Sequence, residues 1–317
     1  MADQPMDKVN ALQPPAAIQL VDVIKTRPQF AAITPRWITK FLEFRPVETG
    51  IFRVNKVAEK VPLGELCGKD SPMEKEIPQG YAEYEEKPRE IMLKGLSSIL
   101  NVDTRVQDLY SRPYDQAEEQ IALTIENLKE RQESRLINDL EYGLLTSASK
   151  KMRISTISGP PTPDDLDELL SLVWKEPSFF LAHPRAVAAF CRECTKRGVP
   201  PVTAEMRGGT FILWRGVPIL PTDKLFIDGA SNAKKNNNGP RGGMTSIMLV
   251  RTGESKRGAI GLYQSGIPND MARGMSLRFR GINDHGVASY LFTVYCAAAI
   301  LADDAVGVLE KVDVGIY

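Results

Sequence analysis

The sequence predicts a mixed α+β fold, and three patterns along the chain lead to this prediction. The first is a set of three segments between residues 115 and 196 whose apolar residues recur at helical spacing. The second is a series of short apolar segments after residue 210, separated by glycine-containing turns as strands are. The third is a long extended segment from Val47 to Lys94. The chain has 317 residues, 43% of them hydrophobic, which is enough to bury a sizeable core.

Residues 1 to about 34 read as an extended arm. They mix proline, glutamine and alanine with one short apolar segment, which is too small to fold alone. The arm is therefore either disordered or stabilised by lying on another subunit. For the second case, the residues expected to make the contact are Ile18, Leu20, Val21, Val23 and Ile24.

The segment from Val47 to Lys94 predicts a long hairpin. Its two limbs alternate apolar and polar residues, and the tip, residues 62–80, holds three prolines and three glycines. A two-stranded hairpin is at best marginally stable alone in water, so it needs a neighbour to lie against.

Three helices follow the hairpin. The clearest spans residues 115–137, where Asp115 and Glu118 have the spacing of a capping box. A second begins at Thr162–Pro163, an N-cap followed by proline at the first helical position. A third begins at Pro184.

Short strands are predicted in the last third of the chain. They are Phe211–Trp214, Val217–Leu220, Ser246–Val250, Ala259–Tyr263 and Ser276–Phe279. Among them, Gly229–Gly243 is rich in glycine and asparagine and predicts an exposed loop whose function is open.

Charge and hydropathy argue against two classes of partner. Forty basic and forty acidic residues cancel, so no overall field attracts nucleic acid or an anionic membrane. The longest apolar run, residues 287–301, contains polar side chains and is shorter than the roughly 20 residues of a membrane-spanning helix. The N-terminus lacks the pattern of a secretory signal. We expect a cytoplasmic protein with no nucleic-acid and no membrane partner.

The sequence offers little for catalysis. Cys191 and Cys194 form a lone CxxC on the apolar stripe of the third helix, which favours buried structural cysteines over a redox or zinc pair. His183 stands at a helix entry and His285 in a turn, where capping and turn roles explain them. No P-loop, dinucleotide-binding or nucleophile-elbow motif is present. We predict no catalytic residue, no cofactor and no metal site, and hence not an enzyme.

Ten segments carry a family resemblance through their order and spacing. They are ITPRW (33–37), PVETGIFRVN (46–55), TRVQDLYSRPYDQ (104–116), LTIENLKERQESRLIN (123–138), EYGLL (141–145), PTPDDLD (161–167), VWKEPSFFLAHP (173–184), RGVPP (197–201), IMLVRTG (247–253) and ADDAVGVLEKV (302–312). Together they resemble the shell proteins of the family 2A encapsulins over nearly the whole chain.

The resemblance implies the Hong Kong 97-type fold of phage major capsid proteins. The expected division is an N-terminal arm (1–45), an E-loop hairpin (46–95), a P-domain with the spine helix (96–172), an A-domain (173–285) and a C-terminal segment returning to the P-domain (286–317). It also implies an icosahedral shell of sixty subunits that encloses a cysteine desulfurase. That enzyme is loaded through its disordered N-terminal segment, and the compartment is linked to sulfur storage.

The same resemblance places one A-domain loop at the five-fold axis of the shell. The corresponding residues are Lys196, Arg197, Gly198, Val199 and Pro200. Two basic residues repeated around an axis would favour anions, but an ordinary helix end with a basic last turn explains them equally well.

Three other functions stay open on the sequence alone. A phage-type capsid protein that packages nucleic acid would share the fold. A thiol-dependent enzyme would use Cys191 and Cys194. A peripheral membrane protein is the third alternative.

Overall fold

The computed structural model describes residues 34–54, 88–105, 116–228 and 243–315, which form an α+β structure on two large sheets. The helices are α1 (Trp37–Phe41), α2 (Gln116–Asn138), α3 (Leu144–Ser147), α4 (Pro163–Leu172) and α5 (Pro184–Lys196), with a 3₁₀ turn at Lys150–Met152. The strands are β1 (Phe44–Val47), β2 (Ile51–Val54), β3 (Arg89–Met92), β4 (Lys94–Asp103), β5 (Arg153–Ser155), β6 (Phe179–Ala182), β7 (Val202–Met206), β8 (Gly209–Trp214), β9 (Val217–Pro221), β10 (Met244–Val250), β11 (Ala259–Gln264), β12 (Asp270–Ala272), β13 (Met275–Ile282), β14 (Val287–Ile300) and β15 (Val306–Asp313).

The central strands of the seven-stranded sheet are buried on both faces. Its order is β5-β15-β10-β6-β9-β8-β7, with parallel pairs β5–β15 and β6–β9 in an otherwise antiparallel sheet. Helices α4 and α5 pack on one face through Leu166, Leu169 and Phe190. The other face lies against α1, α3 and the end of α2. Because both faces are covered, β6 is buried at all four positions.

The six-stranded sheet is uncovered on one face along β4 but buried on both faces where β11 pairs with β14. Its order is β1-β11-β14-β13-β12. Strand β4 pairs with β14 on the edge opposite β13. Helix α2 packs on one face, where Leu128 joins Phe292 and Val294 in a buried cluster. On β4, exposed residues alternate with less exposed ones from Lys94 to Asp103, as expected for a strand with one face uncovered.

The base of the predicted hairpin is a two-stranded ribbon. Strands β2 and β3 pair antiparallel, with Ile51 opposite Met92 and Val54 opposite Arg89. The tip, residues 62–80, lies outside the described residues, as does the N-terminal arm up to residue 33.

The structure confirms most of the predicted elements. Helix α2 ends one residue beyond the predicted end, while its expected cap Asp115 lies outside the described residues. Thr162 caps α4 in a capping box with Asp165. All five predicted strands are present, each with the same length or longer. The apolar run at 287–301 is the 14-residue strand β14, which the sequence did not predict.

Two predicted domain boundaries fall inside strands: the one at 45/46 lies within β1 and the one at 95/96 within β4. The predicted C-terminal segment divides between the sheets, with β14 in the six-stranded and β15 in the seven-stranded one. Within the described ranges, no helix combines the length and apolar character that membrane crossing requires.

Candidate functional site

The turn after α5 is the predicted pore loop, and it closes the helix as a Schellman motif. The N–H of Val199 donates to the carbonyl of Cys194 at 3.0 Å, and the N–H of Gly198 to that of Thr195 at 3.1 Å. Gly198 has φ 71°, and a Cβ placed there would meet no atom within 4 Å, so backbone conformation rather than space favours glycine. Residues 195–200 are all exposed.

Acidic residues accompany both basic residues of this turn. Lys196 Nζ lies 2.7 Å from Glu193 Oε1 on the same helix. Arg197 lies 2.6 Å from Asp164 Oδ2 at the start of α4, and this hydrogen bond raises the pKa of Arg197. The turn is therefore tied to α4, and its positive charge is partly balanced within the subunit.

The thiols of the described residues are poor nucleophiles. Cys191, Cys194 and Cys296 are free. Burial raises the pKa of Cys191, raises that of Cys194 to about 11 and raises that of Cys296 to about 12. At neutral pH these groups are protonated, and the thiolate is the reactive form. Cys194 is fully buried, as predicted, while Cys191 is half-buried.

Both histidines have local structural roles. His183 caps α5, because its Nδ1 accepts a hydrogen bond from the N–H of Arg185 at 3.1 Å. Burial lowers the pKa of His183 and favours the neutral form that can accept this bond. His285 lies in a turn, where its backbone N–H donates to Asn283 Oδ1.

A cluster of mostly buried charged side chains on α2, here called the joint, connects the first described residues of the chain to the turn after β9. Glu130 of α2 accepts hydrogen bonds from the N–H of Thr34 at 2.8 Å and from the Thr34 hydroxyl at 2.9 Å. The same carboxylate accepts from Lys224 Nζ at 2.7 Å, on the turn that follows β9. Arg36 pairs with Glu126 one turn earlier on α2. One helix thus fixes the chain entering from the arm and a turn of the seven-stranded sheet.

Three carboxylates of this joint lie close enough to hold a cation. Oxygen atoms of Glu130, Glu133 and Asp223 lie within 4.8 Å of one another. Lys224 Nζ already lies 2.6 Å from Asp223 Oδ1 and 2.7 Å from Glu130 Oε2. Burial lowers the pKa of Lys224, but its bonds to the two carboxylates outweigh that effect and raise it. The Lys224 ammonium group therefore occupies the position that a metal ion would take among these carboxylates.

Glu133 is the buried acid of the joint, with 1% of its surface exposed. Burial raises its pKa to about 7. This joint was not predicted from the sequence, although one signal was available. Glu126, Glu130 and Glu133 recur at i, i+4 and i+7, which places three acids on one face of α2.

Most of the remaining predicted site residues are not among those that the structure describes. The predicted arm contacts Ile18, Leu20, Val21, Val23 and Ile24 all precede residue 34 and are outside the described residues, as is most of the Gly229–Gly243 loop. The structure brings the Lys196–Pro200 turn close to α4 but not to the joint on α2.

Comparisons with known proteins agree with this geometry. Residues 65–316 match the family model of the SrpI-like type 2A encapsulin shell protein. A curated relative, the type 2A encapsulin shell protein SrpI of Synechococcus elongatus, is 49% identical over 307 residues, which cover 97% of this chain and 95% of the relative.

Solved structures give the same result. The structure of the holo-SrpI encapsulin complex from Synechococcus elongatus matches with a TM-score of 0.79 and 48% identity, covering 97% of this chain and 98% of that one. The capsid of a native GTA particle matches with a TM-score of 0.59 at 11% identity, covering 88% and 91%. This second likeness shows the capsid fold alone, which is the Hong Kong 97-type fold predicted above.

Proposed function

The chain belongs to the family of type 2A encapsulin shell proteins, and from this premise we propose how its compartment is built and used. As a member of that family, the chain is a shell subunit that forms an encapsulin nanocompartment. We propose that the shell is icosahedral, contains sixty copies and lies in the cytoplasm. We further propose that it encloses a cysteine desulfurase, held through that enzyme's disordered N-terminal segment, and serves sulfur storage.

One observation carries this proposal: the likeness to a shell protein extends over almost the entire chain. A structural role also agrees with the chemistry of the described residues. Their thiols are protonated, their histidines act as a cap and a turn residue, and their one acidic cluster is neutralised by a lysine.

Assembly is tested with the full chain expressed alone. Sixty copies of a 35.1 kDa chain amount to about 2.1 MDa, so size-exclusion chromatography and electron microscopy should show closed particles of that mass. A stable monomer or dimer at physiological salt contradicts the proposal. Nuclease-resistant nucleic acid inside the particles would favour a genome-packaging capsid instead.

Cargo loading is tested by co-expression. Three forms are compared: the intact cysteine desulfurase, the same enzyme without its N-terminal segment, and a fluorescent protein that carries that segment. The first and third should co-purify with the particle and resist added protease, while the second should not. Equal loading of all three would show that the segment does not direct the cargo.

We propose that the arm docks on a neighbouring subunit through its apolar segment. Burial of an aliphatic side chain stabilises by about 1.5 to 3 kcal/mol, so a few such residues repeated around a closed shell have a large effect. Deletion of residues 1–33 keeps Thr34, which the joint on α2 needs. The truncated subunit should fold but form few or fragile particles. Particles of unchanged size and heat resistance would show that the arm is dispensable.

We also propose that the Lys196–Pro200 turn lines the five-fold pore. Its exposure and its rigid closure by Gly198 and proline suit a pore rim. Because Glu193 and Asp164 pair with its two cations, the expected preference for anions is weak. Electron microscopy of the particle gives the test, since a turn far from every symmetry axis excludes this role.

A further inference from the structure

A groove beside α1 gathers basic side chains from four parts of the fold. It has a volume of about 510 Å³ and is lined by Arg36, Lys40, Lys129, Arg207, Arg273 and Phe44, among others. Lys40 comes from α1 and Lys129 from α2. Arg207 lies in the β7–β8 turn of the seven-stranded sheet, and Arg273 in the β12–β13 turn of the six-stranded sheet.

Three of these cations have no acidic partner among the described residues. They are Lys40, Arg207 and Arg273, and each lies against an aromatic ring. Lys40 Nζ is 4.3 Å from the ring centre of Trp37. Arg207 Cζ is 4.8 Å from that of Phe41, and Arg273 Cζ is 5.5 Å from that of Phe44.

These ring contacts orient the three exposed cations without neutralising them. A guanidinium has five N–H donors at its edge, and a ring below its face satisfies none of them. One N–H of Arg207 donates to the carbonyl of Lys40, which leaves further donors on the same group. The groove thus holds oriented donors and full positive charge.

Both arginines stand in left-handed arginine–glycine turns. Arg207 has φ 48° and Arg273 has φ 39°, and each is followed by a glycine that also has positive φ. Glycine or asparagine fits this left-handed conformation with less strain than arginine. Asparagine can therefore replace either arginine without loss of the turn.

The nearby acids leave this charge in place. Glu126 pairs with Arg36 and with Lys129 at the α2 side of the groove. Glu43 lines the adjoining cavity of about 500 Å³, which shares Lys40, Arg207 and Arg273 with the groove.

We propose that the groove binds a compact multivalent oxyanion of the phosphate or sulfate class, held by Lys40, Arg207 and Arg273. Planar guanidinium edges and an ammonium suit the oxygens of such an anion.

The test uses assembled particles of the full chain in chloride buffer at constant ionic strength. Inorganic pyrophosphate, phosphate and sulfate are titrated separately by calorimetry. Saturable binding of at least one is expected. R273N should weaken it by about tenfold, as loss of a charge-assisted hydrogen bond does, and R207N/R273N should weaken it further. Asparagine suits both turns, so these variants should keep the backbone.

The chain supplies a matched control in another arginine–glycine turn. Arg215 has φ 49° and is followed by Gly216, but its side chain pairs with Asp167 outside the groove. R215N should bind the anion as the unaltered chain does. If the double variant yields no particles, R273N and K40Q are measured alone.

Three results would overturn the proposal. They are absence of saturable binding in chloride buffer, equal loss in R215N and R273N, and binding of polyglutamate at this groove without binding of any inorganic oxyanion. The last would assign the groove to an acidic peptide.

Discussion

The two large sheets differ in how much of their burial each subunit provides for itself. Strands β6, β9 and β10 of the seven-stranded sheet have consecutive buried residues, because helices cover both faces. Strand β4 of the six-stranded sheet alternates, since α2 covers one face alone. The paired base of the hairpin, β2 and β3, packs at this second sheet with Ile260 and Leu262. The central strands of the seven-stranded sheet are therefore closed on both faces within the subunit, whereas the six-stranded sheet keeps an uncovered face along β4.

The charged joint on α2 lies between these two regions. Helix α2 covers the six-stranded sheet with its apolar side and holds Lys224, at the end of the seven-stranded sheet, with Glu130. Substitutions in the core of the seven-stranded sheet should thus lower folding stability. Substitutions at the joint should alter how α2 is held to the turn at the end of that sheet. The four predictions below test this difference.

The largest effect is expected in the core of the seven-stranded sheet. Phe180 of β6 is completely buried, and Phe180→Ala removes its ring from a closed site, which costs about 3–5 kcal/mol. The unfolding temperature and the yield of soluble particles should both fall sharply. The control is the same substitution in the other sheet, Phe279→Ala, because Phe279 is 58% exposed. Equal losses in both variants would contradict the difference in burial between these two side chains.

The joint should show a pH dependence of opposite sign to that of an ordinary ion pair. Glu133 has an ordinary pKa of 4.5 when unfolded and about 7 when folded. Between these values the folded state binds more protons, so its stability falls as pH rises and levels off above about 7. Glu133→Gln removes the buried charge. It should be more stable than the unaltered chain by about 1–3 kcal/mol at pH 8 and similar to it at pH 5.

The neighbouring acid supplies the control for this prediction. Glu130 accepts from Thr34 and Lys224, so Glu130→Gln leaves a lysine that is 11% exposed without one of its two carboxylates. Glu130→Gln should therefore lower the unfolding temperature at pH 8, where Glu133→Gln raises it. Melting curves of both variants and of the unaltered chain at pH 5 and pH 8 give the test. A Glu133→Gln variant that is less stable than the unaltered chain at pH 8 would show that Glu133 is charged and paired in the fold.

A smaller effect is expected at the cap of α4, which covers the seven-stranded sheet. The Thr162 hydroxyl accepts from the N–H of Asp165 at 3.3 Å and donates to its carboxylate at 2.6 Å. Thr162→Ala loses both bonds and should cost about 1 kcal/mol. Thr162→Ser keeps the hydroxyl and should retain most of the stability. If the two variants unfold at the same temperature, the stability of α4 depends on packing rather than on its cap.

The sequence predicted elements whose signals are local. Helix α4 follows from Thr162 and Pro163, and the end of α5 from Gly198, because caps act over a few residues. Strand β14 gave no such signal. It is buried on both faces at its centre, so its apolar run lacks alternation and is not distinguishable from another buried segment by periodicity.

The candidate sites were less predictable, because they join distant residues. Glu130 meets Thr34 across 96 positions of sequence and Lys224 across 94. Spacing along α2 indicated a row of acids but not what faces it. The proposed arm contacts and the proposed pore would each involve neighbouring subunits, which a single chain does not contain.

The smallest effect is expected on the uncovered face of the six-stranded sheet. Ile99 and Leu100 are adjacent on β4 and point to opposite faces. Ile99 is 51% exposed, beside exposed Ser97 and Asn101, whereas Leu100 packs with Leu128 and Phe292 under α2. Ile99→Ser should change stability by less than about 0.5 kcal/mol, as surface substitutions do. Leu100→Ser should cost about 1–2 kcal/mol, because it removes partly buried apolar surface. Melting curves of both variants as particles and as dissociated chains give the test. A large loss for Ile99→Ser in particles alone would mean that a neighbouring subunit covers this face, and the six-stranded sheet would then be completed by assembly.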